Sequence, residues 1–110
     1  MQQGDIWLAD LDPTEGSEQA GRRPVVIISG NTMNAALPVV IVVPMSSQLK
    51  SYPTSVLLRP NRANGLKKSA EALPFQVRTL ARVRFIKRIG RVMPEELRDI
   101  VRGLFVVLTH

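Results

Sequence analysis

Five consecutive β-branched residues, Val39-Val40-Ile41-Val42-Val43, stand between Pro38 and Pro44. Such side chains are stiff at χ1 and pack well on a pleated surface, and the run is too short for an isolated helix. It reads as a central strand buried on both faces, which demands a sheet whose two sides are both covered. Asp5 to Leu11, stopping at Asp12-Pro13, and Pro24 to Ser29, closing at Gly30-Asn31, read as further strands. Thr54 to Leu58, Ala72 to Leu80 and Arg84 to Ile89 complete about six. Asn31 to Leu37 fits a short helical turn.

The period changes near the end of the chain. Pro94-Glu95-Glu96 places proline at a helix's first position and acids in its first turn, where the helix dipole favours them. Leu97, Ile100, Val101, Leu104, Val107 and Leu108 then recur at three- and four-residue spacing, so one apolar face of a helix is expected to pack on the sheet. Gly103 on that helix permits a close approach to a strand. The fold class expected is mainly β: a small, strongly bent antiparallel sheet or partly open barrel with a C-terminal helix. With 110 residues, 45% of them hydrophobic, and no internal repeat or linker, a single domain spanning 1–110 is expected.

Composition narrows the chemistry. No cysteine is present and the one histidine is His110, the last residue. Thiol nucleophiles, thiolate or histidine metal sites and His-pair acid–base chemistry are therefore excluded, and no cofactor is expected. Any catalysis must use carboxylates, hydroxyls and arginines. No stretch approaches the roughly 20 apolar residues of a membrane span. The opening Met-Gln-Gln-Gly-Asp is unlike a signal region, so a cytoplasmic protein is expected.

Charge points to a polyanionic partner. The formal net charge is +6, and it is unevenly placed. Up to residue 45, Asp5, Asp10, Asp12, Glu15 and Glu18 face only Arg22 and Arg23; between Ser46 and Val92 Glu71 is the only acid among eleven lysines and arginines. Nucleic acid is the first candidate for such a basic middle segment. The Arg82 to Arg91 cluster reads as affinity rather than catalysis.

Several residues carry candidate chemistry, each beside a plainer role. The long Asp12 to Arg23 connection ends in Arg23-Pro24, and the proline biases Arg23 toward an extended conformation at the start of a strand. Its fork of donors suits a phosphate or, equally, a loop carboxylate. Glu18, five residues earlier, is a general base or a solvated acid. Ser46 and Ser47 follow the buried strand and either meet a phosphate or sugar or cap a turn. In Gln76-Val77-Arg78-Thr79 the alternation puts Gln76 and Arg78 on one strand face, as a base-edge and phosphate pair or as a solvated face. Trp7 and Phe75 are base-stacking platforms or core; Met33 and Met45 read as core, and His110 as inert.

Taken together, Gly4-Asp5-Ile6-Trp7, Asp10-Leu11-Asp12-Pro13, Gly16-Ser17-Glu18-Gln19-Ala20-Gly21-Arg22-Arg23-Pro24-Val25-Val26, Pro44-Met45-Ser46-Ser47 and Gln76-Val77-Arg78-Thr79 resemble the MazF/PemK/Kid family of toxin endoribonucleases, in order and over nearly the whole chain. The resemblance implies an SH3-like barrel, a homodimer, and metal-independent cleavage of single-stranded RNA, hence of mRNA. It also implies neutralisation by an acidic, MazE-like antitoxin. Arg23, Ser46 and Glu18 take the catalytic positions; Ser47, Gln76, Arg78, Thr79, Arg22 and Lys50 are expected to bind RNA. Two departures stand out. Ser46 replaces the threonine of most relatives, and Phe75 stands where some carry an aspartate, so an Asp-dependent scheme does not transfer. Attack by the RNA's own 2′-hydroxyl, with Glu18 as base and Arg23 on the phosphorane, is the scheme expected. The competing readings are a noncatalytic CcdB-like barrel that binds a protein and a plain nucleic-acid-binding module.

Overall fold

A computed structural model describes residues 1–16 and 18–110; Ser17 of the loop motif lies outside them. Among the described residues the chain forms β1 (Asp5–Asp10), β2 (Arg22–Ile27), a short α1 (Asn31–Ala36), β3 (Val39–Ser46), β4 (Val56–Leu58), β5 (Ala70–Ala72), β6 (Arg78–Ala81), β7 (Phe85–Arg91) and α2 (Pro94–Thr109). The strands run antiparallel in the order β4-β5-β3-β2-β1-β7, and β6 pairs with β3 off that path. β3 is the hub: its first half pairs with β6 and its end with β5, while Val42 to Pro44 pair with β2.

The Val39–Val43 run behaves as its composition demands. Val40 and Val42 point into one buried cluster with Val25, Ile27, Leu11 and Leu80. Ile41, Val43 and Met45 point the other way, into a cluster with Ile6, Val26, Leu58 and Ile100. Successive residues thus serve opposite faces, the period of two that a strand imposes. Helix α2 covers the second cluster through Leu97, Ile100 and Leu104. Gly103 is buried with its neighbours so close that a Cβ there would lie 2.8 Å from the Thr54 carbonyl oxygen and 3.0 Å from the Pro74 ring. The close approach read from the sequence is real, but its partners are turns rather than a strand.

Three other expectations change. Ala72 to Leu80 is not one strand: β5 ends at Ala72, a 3₁₀ turn spans Pro74–Gln76, and β6 begins at Arg78. Pro74 lacks the N–H a ladder needs and has φ suited to a helical first position, so it breaks the run into two strands on different partners. Arg84 likewise belongs to a 3₁₀ turn, Arg82–Arg84, and not to β7. On α2 the apolar stripe is wider than the surface it covers, and Val101, Val107, Leu108 and also Phe105 are exposed. Among the described residues, no helix is long and apolar enough to cross a membrane.

Candidate active site

The β1–β2 loop is closed at its base by a ladder of local bonds. The Leu11 N–H donates to the Gly21 carbonyl at 2.9 Å, and the Gly21 N–H to Asp12 Oδ1 at 3.0 Å. Two arginines from the other end of the chain clamp the same segment. Arg78 Nη1 donates to the Leu11 carbonyl at 3.1 Å, and Arg84 Nη1 donates to the carbonyl of Asp12. A guanidinium donating to a carbonyl is a charge-assisted bond, stronger than a neutral one. Arg78, singled out as an RNA contact, therefore gives part of its donor set to shaping the loop that carries Glu18 and leads to Arg23.

Arg23 is the second residue of β2, paired in register with Ala9, and only partly exposed. Its Nε donates to the Ala20 carbonyl at 2.8 Å, which orients the planar head. Among the described residues no carboxylate lies within ion-pair distance of it. Arg23 opens on a cleft of about 570 Å³ whose other walls include Arg22, Ser47, Lys67, Lys68, Lys87 and Arg88. Arg88 is fixed there by Asp5, a buried carboxylate 3.3 Å from its Nε, which also accepts a bond from Trp7 Nε1 at 3.3 Å. Trp7 packs edge to face on Phe85 with ring centroids 5.9 Å apart. That is the structural alternative for Trp7. The convergence of so many cations on one concavity is an anion site in electrostatic terms.

A second, smaller cleft of about 260 Å³ is lined by Glu18, Gln19, Pro44, Phe75, Gln76, Val77 and Arg78. Glu18 is exposed there. Gln76 sits on the 3₁₀ turn rather than on a strand, so it and Arg78 meet in this cleft without sharing a strand face. Phe75 is 40% exposed and meets the Tyr52 ring edge to face at 4.9 Å. Tyr52 was not among the residues the sequence marked; its partner is distant in the chain, and no local pattern reveals the pair.

The expected site residues are thus divided. Arg22, Arg23 and Ser47 share the basic cleft, whereas Glu18, Gln76 and Arg78 share the smaller one. Ser46 lies between Pro44 and Ser47, which line different clefts, and is 6% exposed. Its Oγ accepts the Gln48 N–H at 3.1 Å, the turn-capping arrangement, and its own proton remains for an acceptor. Val25 pairs with Pro44, and two residues on from that pair stand Arg23 on β2 and Ser46 on β3. Thr79 is exposed on β6, paired with Ile41, and Lys50 is exposed on the β3–β4 loop; neither lines these clefts. Lys67, Lys68, Lys87 and Arg88 were legible only as part of a cationic stretch.

The sequence and the fold have parallels among known proteins. Residues 2–108 match the family model described as PemK-like, MazF-like toxin of type II toxin-antitoxin system. The chain belongs to this family. A MazF endoribonuclease of Mycobacterium tuberculosis is 38% identical over 110 residues, covering 94% of this chain and 92% of its own. The endoribonuclease toxin MazF of Escherichia coli is 39% identical over 106 residues, covering 96% and 91%. The crystal structure of MazF from Deinococcus radiodurans superimposes with a TM-score of 0.83 at 26% identity, covering 99% of this chain and 96% of that one. Within the MazF-like fold, the bent sheet with α2 on one side is what presents β2's first residues at a rim rather than inside the core.

Proposed function

We propose that the chain, as a single toxin domain, is a metal-independent endoribonuclease that cleaves single-stranded RNA, including mRNA, in the cytoplasm. The observation that carries this is Arg23: a guanidinium held by one backbone bond, without a carboxylate partner among the described residues, at the edge of a cleft walled by five other cations. The ribose supplies the nucleophile. Its 2′-oxygen bonds to the adjacent phosphorus, the bond from phosphorus to the 5′-oxygen breaks, and the products are a 2′,3′-cyclic phosphate and a 5′-hydroxyl. Arg23 neutralises the phosphorane oxygens, and the Ser46 hydroxyl donates to the same phosphate. Glu18 accepts the 2′-proton, and the departing 5′-oxygen takes a proton from solvent water to become the 5′-hydroxyl; the loop that joins Glu18 to Arg23 must then lie along the ribose. Ser47 and Arg22 hold the backbone in the basic cleft, Gln76 and Arg78 meet a base in the smaller one, and Thr79 and Lys50 bind RNA on its approach. An acidic antitoxin complements the basic cleft. A second copy of the chain is the natural cover for the exposed apolar residues at the end of α2.

The test is incubation of the purified chain with long single-stranded RNA in EDTA, followed by analysis of the ends. Cleavage with cyclic phosphate and 5′-hydroxyl termini is expected. Intact RNA combined with inhibition of a protein target indicates the noncatalytic barrel instead.

The basic cleft also predicts how binding depends on salt. Each phosphate neutralised on a single strand contributes about −0.7 to the slope of log K against log salt. Replacing Lys67 and Lys68 together by Gln is expected to flatten that slope by about 1.4 in a binding titration with a non-cleavable oligonucleotide. An unchanged slope places both lysines outside the RNA path.

A further inference from the structure

The acid that interrupts the basic middle of the chain does not neutralise it. Glu71 is on β5, directly opposite Ser46 in the β3–β5 register, and is 3% exposed. Among the described residues it makes no ion pair. Its carboxylate is taken up by the β3–β4 loop, residues 47–55. The Lys50 N–H donates to Oε1 at 2.6 Å, the Ser51 N–H to Oε2 at 2.9 Å, and the Ser55 hydroxyl lies 2.7 Å from Oε2. Two successive backbone N–H groups closing on one anion form a nest. Ser51 has φ of +53°, a left-handed conformation that a residue with a Cβ keeps only where its surroundings hold it. The loop is thus wound around a buried charge.

This loop borders both clefts. Ser47 lines the basic cleft beside Arg23, and Tyr52 packs on Phe75, which lines the cleft of Glu18 and Gln76. We propose that Glu71 is a positioning residue for RNA: its carboxylate preforms the 47–55 loop as a wall common to the two clefts, so that a single strand binds across them without first ordering the loop. The inference rests on the nuclease reading above. Removing the anion leaves a loop that samples the binding-competent form only part of the time. Apparent affinity falls in proportion to the lost population, while the bound complex reacts as before.

The measurement is steady-state cleavage of a single-stranded RNA oligonucleotide by the full chain and by Glu71→Gln, with amide hydrogen exchange on both. The glutamine keeps the shape but turns an NH₂ toward one of the loop's N–H groups. If the competent loop falls to about a tenth of the population, KM rises about tenfold at unchanged kcat, and the Lys50 and Ser51 amides lose protection. Ser55→Ala, which removes one of the three bonds, is expected to raise KM by a smaller factor of about three to five, and it decides the matter if Glu71→Gln does not fold. A lower melting temperature with KM within about twofold of the parent in either folded variant, or a loss confined to kcat, overturns the proposal. Intact RNA with the unsubstituted chain removes the nuclease reading, and this proposal falls with it. Normal cleavage by the parent together with an unaltered KM in the variants removes this proposal alone.

Discussion

Arg23→Ala is expected to lose RNA cleavage by a factor of about 10²–10³ in single-turnover rate at saturating RNA, the range found when one preorganised donor to a developing anion is removed. The fold should survive. The side chain is partly exposed, makes one bond to the Ala20 carbonyl, and leaves the β1–β2 ladder untouched when truncated. Circular dichroism and the melting temperature should therefore stay close to the parent's. Arg23→Lys is expected to rescue little, because an ammonium lacks the planar fork that spans two phosphate oxygens. The contrast separates this scheme from simple electrostatic attraction, in which any cation at position 23 would serve. Cleavage by Arg23→Ala within threefold of the parent would falsify the assignment.

Gly90→Ala should be strongly destabilising. A Cβ on Gly90 would lie 2.5 Å from the Ala63 carbonyl oxygen and equally close to the Asn64 carbonyl carbon and oxygen. All are backbone atoms, so no side chain can swing aside. The segment cannot retreat cheaply either: the Arg91 N–H donates to the Ala63 carbonyl at 3.0 Å. Asn61 and Asn64 also bond reciprocally, with the Asn64 side chain fully buried. On the other side, Gly90 is registered against Ile6 of β1. Overpacking of this kind costs about 3 kcal/mol, the upper end of its usual range. Because the displaced segment leads directly into Lys67 and Lys68 on the wall of the basic cleft, RNA affinity should fall with stability. Urea unfolding and a binding titration read the two effects. Gly30→Ala is the control: its neighbourhood is open and its φ of −67° is ordinary, so it should cost less than about 1 kcal/mol.

Much of the frame was present in the order of residues. The Val39–Val43 run specified a strand covered on both sides, because β-branched side chains at a period of two leave no solvent face to choose. Pro94 and the spacing of Leu97, Ile100 and Leu104 specified a helix with one buried face. Arg23-Pro24 placed a guanidinium at the start of a strand, since proline restricts the residue before it to extended backbone. These are local consequences of sterics and hydrophobic spacing, and they are readable without knowing what lies across the sheet.

Other features depended on contacts between residues far apart in the chain. The break at Pro74 was missed because the apolar run around it resembles one continuous strand; only the separate partners of β5 and β6 reveal two. Arg78 reads as a ligand contact in the sequence, and only the fold shows that it also donates to the Leu11 carbonyl, 67 residues away. Lys67, Lys68, Lys87 and Arg88 became neighbours of Arg23 only because β7 pairs with β1 and β1 with β2, setting three distant segments around one concavity. Glu71 was visible as the sole acid among many bases, but its meaning required the loop that closes on it. The sequence by itself determined which faces are apolar, where the chain turns and which charges it carries. Tertiary structure alone decided which of those charges converge and which are consumed by backbone, because side-chain period specifies direction whereas convergence depends on long-range register.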